Sequence, residues 1–191
     1  MTRISLVNTA HDLIRGVLRP GAAAIDATVG NGYDTLFLAG QIAPSGRVYG
    51  FDIQQAAIAS TLQKFRQTGL SECLTLIHAS HAEMGEKIPA PEHGKINAVM
   101  FNLGYLPGGD KSVITLSEST LAALTCAARI LAVNGIITLM AYPGHQGGDR
   151  ETKQVKNWCE QLDSEQFAVS TVYSSEHKDS APRLFVIRKL R

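Results

Sequence analysis

The stretch "AAAIDATVGNGYDTLFLAGQIAPSGRVYGFDI", residues 22–53, decides the architecture. It opens on a small apolar run, "AAAIDAT" (22–28), and turns at a glycine pair. It continues through "YDTLFLAGQI" (33–42), whose apolar residues follow helical spacing, and ends in a second apolar run, "GRVYGFDI" (46–53). Runs that are apolar throughout, without polar alternation, read as strands covered on both faces. Two such strands joined by a helix form a parallel pair, because a parallel connection needs a crossover that a tight turn cannot make.

The same alternation continues downstream. "QQAAIASTLQKFRQTGL" (54–70) has apolar residues three and four apart and stops at Gly69, which predicts a helix. "CLTLIH" (73–78), "INAVMFNLG" (96–104) and "NGIITLMAY" (134–142) read as strands; "SHAEMGEKI" (80–88) and "LSESTLAALTCAARIL" (116–131) read as helices. A polar helix is expected over 149–162, followed by two β-rich runs, "FAVSTVYSS" (167–175) and "RLFVIRKL" (183–190). Only "EHKDSAP" separates that last pair, too short for a helical crossover, so they form an antiparallel hairpin at a sheet edge. The expected fold is α/β: a Rossmann-like, seven-stranded, mostly parallel sheet with a C-terminal antiparallel hairpin and helices on both faces. "PAPEHG" (89–94) reads as a surface loop, and no repeat or low-complexity tract interrupts the pattern.

The chain has 191 residues, 45% of them hydrophobic, enough for one substantial core, so 1–191 is expected to be a single domain. "MTRISLVNTAHDLIRGVL" is broken by Arg3, His11, Asp12 and Arg15, which argues against a signal peptide or membrane span and for a cytoplasmic protein. Cys73, Cys126 and Cys159 lie far apart without C-x-x-C spacing, so they read as buried apolar residues and not as a disulfide framework or zinc site. A net charge of +1 does not demand a nucleic-acid partner and is compatible with one that binds a local patch.

Ligands of open parallel sheets bind beyond the carboxyl ends of the strands. At the first such end, "DATVGNGYDT" (26–35), Gly30 and Gly32 allow a ligand to approach the backbone ahead of a helix N-terminus. At the second stands Asp52, 26 positions after Asp26, close to the spacing of an acid that accepts ribose hydroxyls. The plainer alternatives are a tight turn at the glycines and a helix cap at Asp52. A dinucleotide pyrophosphate would meet carboxylates at Asp34 and Asp26, whereas a cationic adenosine cofactor would be favoured by them. S-adenosylmethionine, with its ammonium and sulfonium, is such a cofactor. A nucleotide triphosphate fits worse. Residues 104–112 nearly spell a phosphate-cradling loop, but Asp110 stands where glycine must precede the lysine.

Together "DATVGNGYDTLFLA", "FDI", "HASHAEM", "FNLGYLPGGDK" and "YPGHQGGDRE" resemble the class I S-adenosylmethionine-dependent methyltransferases, and within them the small bacterial family labelled rRNA methylases. The resemblance covers nearly the whole chain. It implies a tRNA methyltransferase acting on the 5-aminomethyl group of 5-aminomethyl-2-thiouridine at the wobble position, with rRNA or a small amine as the alternative acceptor. A nucleotide- or NAD-binding domain without methyl transfer is the reading from a different class. For the cofactor it implies Asp26, Thr28, Gly30, Asn31, Gly32 and Asp34 around the methionine end, Asp52 and Ile53 at the ribose and adenine, and Ser80 and His81 at the adenine edge. Thr28 departs from the class pattern, which usually has glycine there. Ser80 also reads as a helix cap, and His78 with His81 as a metal pair lacking a third ligand, so no metal is expected.

The fourth strand ends at Asn102, Gly104 and Tyr105. Methyl transfer is an in-line displacement, so the acceptor's lone pair must be aimed at the methyl carbon. The Asn102 amide oxygen can accept an amine N–H and turn the lone pair inward, and it would also border the cofactor. The Asn102–Tyr105 spacing resembles the N/D-P-P-Y loop of amino-directed methyltransferases. A pyrimidine-carbon acceptor would need a cysteine nucleophile, and no strand-end loop offers one. Tyr142 and His145, in "AYPGH", are the candidate proton acceptors. Lys111 reads as a phosphate contact or loop cap, and Arg150, Lys153 and Lys156 as RNA phosphate contacts or a solvated helix face. Dimerisation is implied by the resemblance alone.

Overall fold

The computed structural model describes residues 5–104, 114–144, 147–174 and 180–191. Its seven strands are β1 (Ala23–Asp26), β2 (Arg47–Asp52), β3 (Leu74–His78), β4 (Ile96–Asn102), β5 (Leu131–Ala141), β6 (Phe167–Tyr173) and β7 (Arg183–Lys189). They form one sheet in the order β3-β2-β1-β4-β5-β7-β6. β1 to β5 run parallel, while β7 enters antiparallel between β5 and the edge strand β6. The hairpin is therefore where the short connection requires it, with the more apolar of its two strands inside: Leu184 to Ile187 are buried, whereas β6 is largely exposed.

The helices are α1 (Leu6–Arg15), α2 (Tyr33–Ile42), α3 (Gln55–Phe65), the single turn α4 (Met84–Lys87), α5 (Ser117–Ile130) and α6 (Gly148–Glu160). α1, α2 and α3 cover one face, where Leu6, Ile14, Leu38, Ile42 and Phe65 pack on Ala24, Val48 and Met100. α4, α5 and α6 cover the other, where Met84, Leu124, Ile130 and Val155 pack on Ile25, Phe51, Val99 and Phe101. Successive strand residues thus face opposite layers, as the pleat demands, and both layers are apolar, which is why the strands show no polar alternation. Cys73, Cys126 and Cys159 are free, buried thiols, the last two within the α4–α6 layer.

Two elements differ from the sequence expectation. Helix α1 was not anticipated: polar residues are interspersed through 6–15, and only Leu6, Ala10 and Ile14, one turn apart, are buried, with Ser5 accepting the Asn8 N–H at the N-cap. β5 starts at Leu131 and not at Asn134, because Asn134 takes a left-handed φ of 64° inside the strand and pairing continues on either side. Asparagine tolerates that conformation better than most residues, so in sequence it reads as a turn. A register shift in β4 leaves Asn97 unpaired in the ladder, and its side-chain oxygen accepts the Ala23 N–H at 3.2 Å.

No helix among the described residues is long and apolar enough to cross a membrane. Ile14 is fully buried under the sheet, so Ile14→Ala should lower stability by about 2–5 kcal/mol in chemical denaturation, the range for a buried aliphatic truncated to alanine. A loss below about 0.5 kcal/mol, typical of a surface change, would mean that α1 does not seal the sheet.

Candidate active site

Backbone N–H groups beyond the end of a strand have no ladder partner and must find another acceptor. At the carboxyl edge of this sheet, side chains supply it. Asp52, closing β2, accepts the Gln54 N–H on Oδ1 and the Gly30 N–H on Oδ2, both at 2.8 Å. It therefore does more than cap α3, whose N-cap is Gln54: it ties the glycine turn to the neighbouring strand. The Thr28 hydroxyl accepts the Asn102 N–H at 2.7 Å, joining the tips of β1 and β4. That is what threonine supplies where a glycine usually stands.

The glycine turn is tightly seated. Gly32 has a φ of 73°, and a side-chain carbon there would come within 2.4 Å of Thr61 Oγ1. Gly50 lies under the same turn, where an added carbon would meet Val29 Cγ2 at 2.7 Å. Neither position accepts a larger residue without moving the loop.

A cavity of ≈ 700 Å³ opens over these tips, the size range of small-molecule sites. Thr28, Gly30, Asn31, Asp34, Asp52, Ile53, Ser80, His81, Asn102, Gly104 and Tyr142 all line it. Two expected cofactor residues do not: Gly32 is packed against α3, and Asp26 lies below the cavity. Asp26 is 1% exposed, and its carboxyl oxygens accept the Thr28 N–H at 3.1 Å and the Thr35 hydroxyl at 2.6 Å. Burial, then the nearby Asp34, push its pKa up to about 7. Asp26 is a strut beneath the turn and offers no open face to a ligand. Asp34 remains at the wall, where His11 Nε2 meets Oδ1 at 2.7 Å and the His11 ring stacks on Phe37 at 3.8 Å.

His81 is 8% exposed, and its Nδ1–H donates to the Ala27 carbonyl at 3.1 Å. Burial lowers its pKa, so the ring is neutral and Nε2 is a bare acceptor, buried without a hydrogen-bond partner. Ser80 combines both of its readings: it lines the cavity and forms a capping box with Glu83. His78 turns away to donate Nε2–H to the Ile53 carbonyl at 2.9 Å, so the two histidines do not form a ligand pair. Tyr142 is half-buried, and burial followed by Asp34 raises its phenol pKa above the ordinary 10. It is therefore a protonated phenol at neutral pH on the cavity wall. Burial pushes the Cys159 thiol up to about 12, and no cysteine lines the cavity among the described residues.

Tyr105, Lys111 and His145 lie outside the described residues. Arg150, Lys153 and Lys156 are exposed on α6, and Lys156 pairs with Glu160 at 3.7 Å; none of them lines the cavity. Sequence reasoning missed His11, Ile114, Thr115, Leu116, Ser119, Ser180 and Pro182, which reach the site from separate segments. Of these only Ser180 and Pro182 stood in a recognised connection, the "EHKDSAP" link of the hairpin, and none carries a motif.

The Asp26 carboxyl gains its proton affinity on folding. Between about pH 4 and pH 7 the unfolded chain releases this proton while the folded chain holds it, so Asp26 makes stability fall as pH rises through that window. Denaturant melts of the wild type and Asp26→Asn across pH 4–8 should show the wild type losing stability relative to the variant as pH rises. A constant difference between the two would contradict the raised pKa.

Residues 48–188 match the family model described as "Putative rRNA methylase". The chain is 43% identical over 162 residues to a tRNA (mnm(5)s(2)U34)-methyltransferase, chloroplastic, of Arabidopsis thaliana, an alignment covering 81% of this chain and 58% of that protein. It is similar, at 38% identity and a TM-score of 0.92, to the crystal structure of a "putative rRNA-methylase" from Clostridium thermocellum, each chain covered over its whole length. A second crystal structure, a "putative methyltransferase" from Streptococcus mutans in complex with SAH, matches at 33% identity and a TM-score of 0.86, covering 99% of this chain and all of that one. With a glycine turn, an acidic second-strand tip and an asparagine at the fourth-strand tip converging on one cavity, the chain belongs to the rRNA methylase family.

Proposed function

We propose that this chain is an S-adenosylmethionine-dependent N-methyltransferase acting on tRNA, with the 5-aminomethyl group of 5-aminomethyl-2-thiouridine at the wobble position as acceptor. One observation carries the reading: Asp52, His81 and Asn102, from three strand ends, face a single cavity. The substrate is supported by the name of the Arabidopsis relative, and the cofactor by the SAH in the Streptococcus neighbour.

The residues present fit the cofactor. Asp52 holds two backbone N–H bonds and, as a carboxylate, keeps further lone pairs for ribose hydroxyls. His81 Nε2 is an acceptor left without a donor, and the amino group of an adenine is a donor. Ile53, half-exposed at 54%, offers an apolar surface to the base. Asp34 offers negative charge to an ammonium. When bound, S-adenosylmethionine supplies a methyl group on a positively charged sulfur.

The chain's own work is to present the acceptor. The Asn102 amide oxygen would accept an amine N–H, orienting the nitrogen lone pair, and its backbone is held at Thr28 so that the orientation is set in advance. Leu103, Ile114 and Leu116 give the wall an apolar surface that excludes water. Only a neutral amine has a lone pair to donate, and Tyr142, kept protonated, would act as a hydrogen-bond donor near it.

Nucleoside mass spectrometry of tRNA from a deletion strain tests the acceptor: the unmethylated aminomethyl base should accumulate. Normal tRNA with a missing methyl in rRNA would refute the substrate. Calorimetry tests the cofactor site: Asp52→Ala should weaken S-adenosylmethionine binding by about 10–100-fold, the value of charge-assisted hydrogen bonds. Unchanged affinity would place the cofactor elsewhere.

A further inference from the structure

We propose that Glu151 is a positioning residue that fixes the β4 end of the cavity wall, acting through Thr115 on the backbone of Gly104. The inference rests on the methyltransferase reading and adds a residue which that reading does not use.

Glu151 stands in the first turn of α6 and is 3% exposed. A carboxylate so buried is costly unless its oxygens are satisfied. Here Oε1 accepts the Thr120 hydroxyl and Oε2 the Thr115 hydroxyl, each at 2.8 Å. The two partners have different surroundings. Thr120 is inside α5 and fully buried, whereas Thr115 lines the cavity.

Thr115 passes the constraint on. Its hydroxyl oxygen accepts the Gly104 N–H at 2.9 Å, and its own N–H donates to the Gly104 carbonyl at 2.9 Å. A hydroxyl has one proton. With that proton committed to Glu151, the oxygen lone pairs are turned toward Gly104, so the acceptor is aligned before any ligand arrives. Gly104 itself has a φ of 113°, a conformation open to glycine and not to residues with a side chain.

Three consecutive backbone N–H groups at the tip of β4 are thereby held from three directions. Asn102 donates to the Thr28 hydroxyl, Leu103 to the Met140 carbonyl at 3.0 Å, and Gly104 to Thr115. Glu151 governs the last of these, two residues from the asparagine that presents the acceptor. A residue serving packing alone could be apolar at this position, because α5 and α6 already pack through Leu124, Val155 and Cys159.

The test uses the full chain and three variants. Thr115→Val keeps the shape and removes both Thr115 hydroxyl bonds, Glu151→Ala leaves the Thr115 hydroxyl in place but removes the bonds of Glu151 to Thr115 and to Thr120, and Thr115→Ser retains the hydroxyl. Amide hydrogen exchange at Gly104 should be about 10-fold faster in Thr115→Val and several-fold faster in Glu151→Ala, with Thr115→Ser close to wild type. For methyl transfer to RNA, kcat should fall about 10-fold or more in the first two variants while S-adenosylmethionine affinity by calorimetry stays within about 3-fold, the mark of lost orientation. Unchanged Gly104 exchange in Thr115→Val or Glu151→Ala overturns the proposal, as does a fall in cofactor affinity that matches the fall in kcat. Should the wild type itself transfer no methyl to RNA, the functional reading fails, and the exchange result still decides whether Glu151 holds Gly104.

Discussion

The structure depends on how the backbone is satisfied where parallel strands stop pairing. A strand in the middle of a sheet has a partner for every N–H and C=O, and the loop that leaves it has none. At the junction of β1, β2 and β4 this protein closes the gap with three side chains. Asp26 takes the Thr28 N–H, Thr28 takes the Asn102 N–H, and Asp52 takes those of Gly30 and Gln54. The Asn102–Thr28 and Gly30–Asp52 bonds cross from one strand end to the next, while those of Thr28 to Asp26 and Gln54 to Asp52 fix the local turns, so the tips form one unit. The cavity sits on that unit, and its walls inherit its rigidity.

This arrangement divides the acidic residues by role. Asp26, buried under the turn, has its carboxyl pushed toward the protonated form and acts within the fold. Asp52 is half-exposed and faces the cavity, with its two oxygens already oriented by backbone donors. Asp34 also faces the cavity, with one carboxyl oxygen in contact with His11 Nε2 from the N-terminal helix at 2.7 Å. Three carboxylates within nine strand and loop positions or at the next strand tip could look interchangeable as sources of negative potential. Their depth and partners show that two of them can meet a ligand and one cannot. The same logic applies to the opposite wall. Glu151 does not line the cavity and meets its wall through the hydroxyl of Thr115.

Much of this could be read from residue order. The apolar runs at 22–28, 46–53, 73–78, 96–104 and 134–142 became strands β1 to β5, with boundaries moved by a few residues at most, because strands covered on both faces carry their burial in their own composition. Gly30, Asp52, Ser80, His81 and Asn102 were placed at the site for a related reason: each directly follows or closes a strand, and the parallel topology brings those ends to one edge. Helix α1 escaped because only Leu6, Ala10 and Ile14 mark its buried face. Asp26 was expected to face the cofactor and lies beneath the turn instead, because chemistry alone does not tell depth and burial changed what that group can do.

The sequence by itself determined the order of strands and helices, the hairpin at the end and the set of strand tips, since these follow from local periodicity and from how far a short connection can reach. Only the tertiary structure decided which polar groups face the cavity and which lie beneath it, and which distant residues join them. His11 meets Asp34 across 23 positions, and Glu151 meets Thr115 across 36. Such pairs leave no periodic trace, because a hydrogen bond between remote segments depends on where packed helices place their side chains and not on the residues between them.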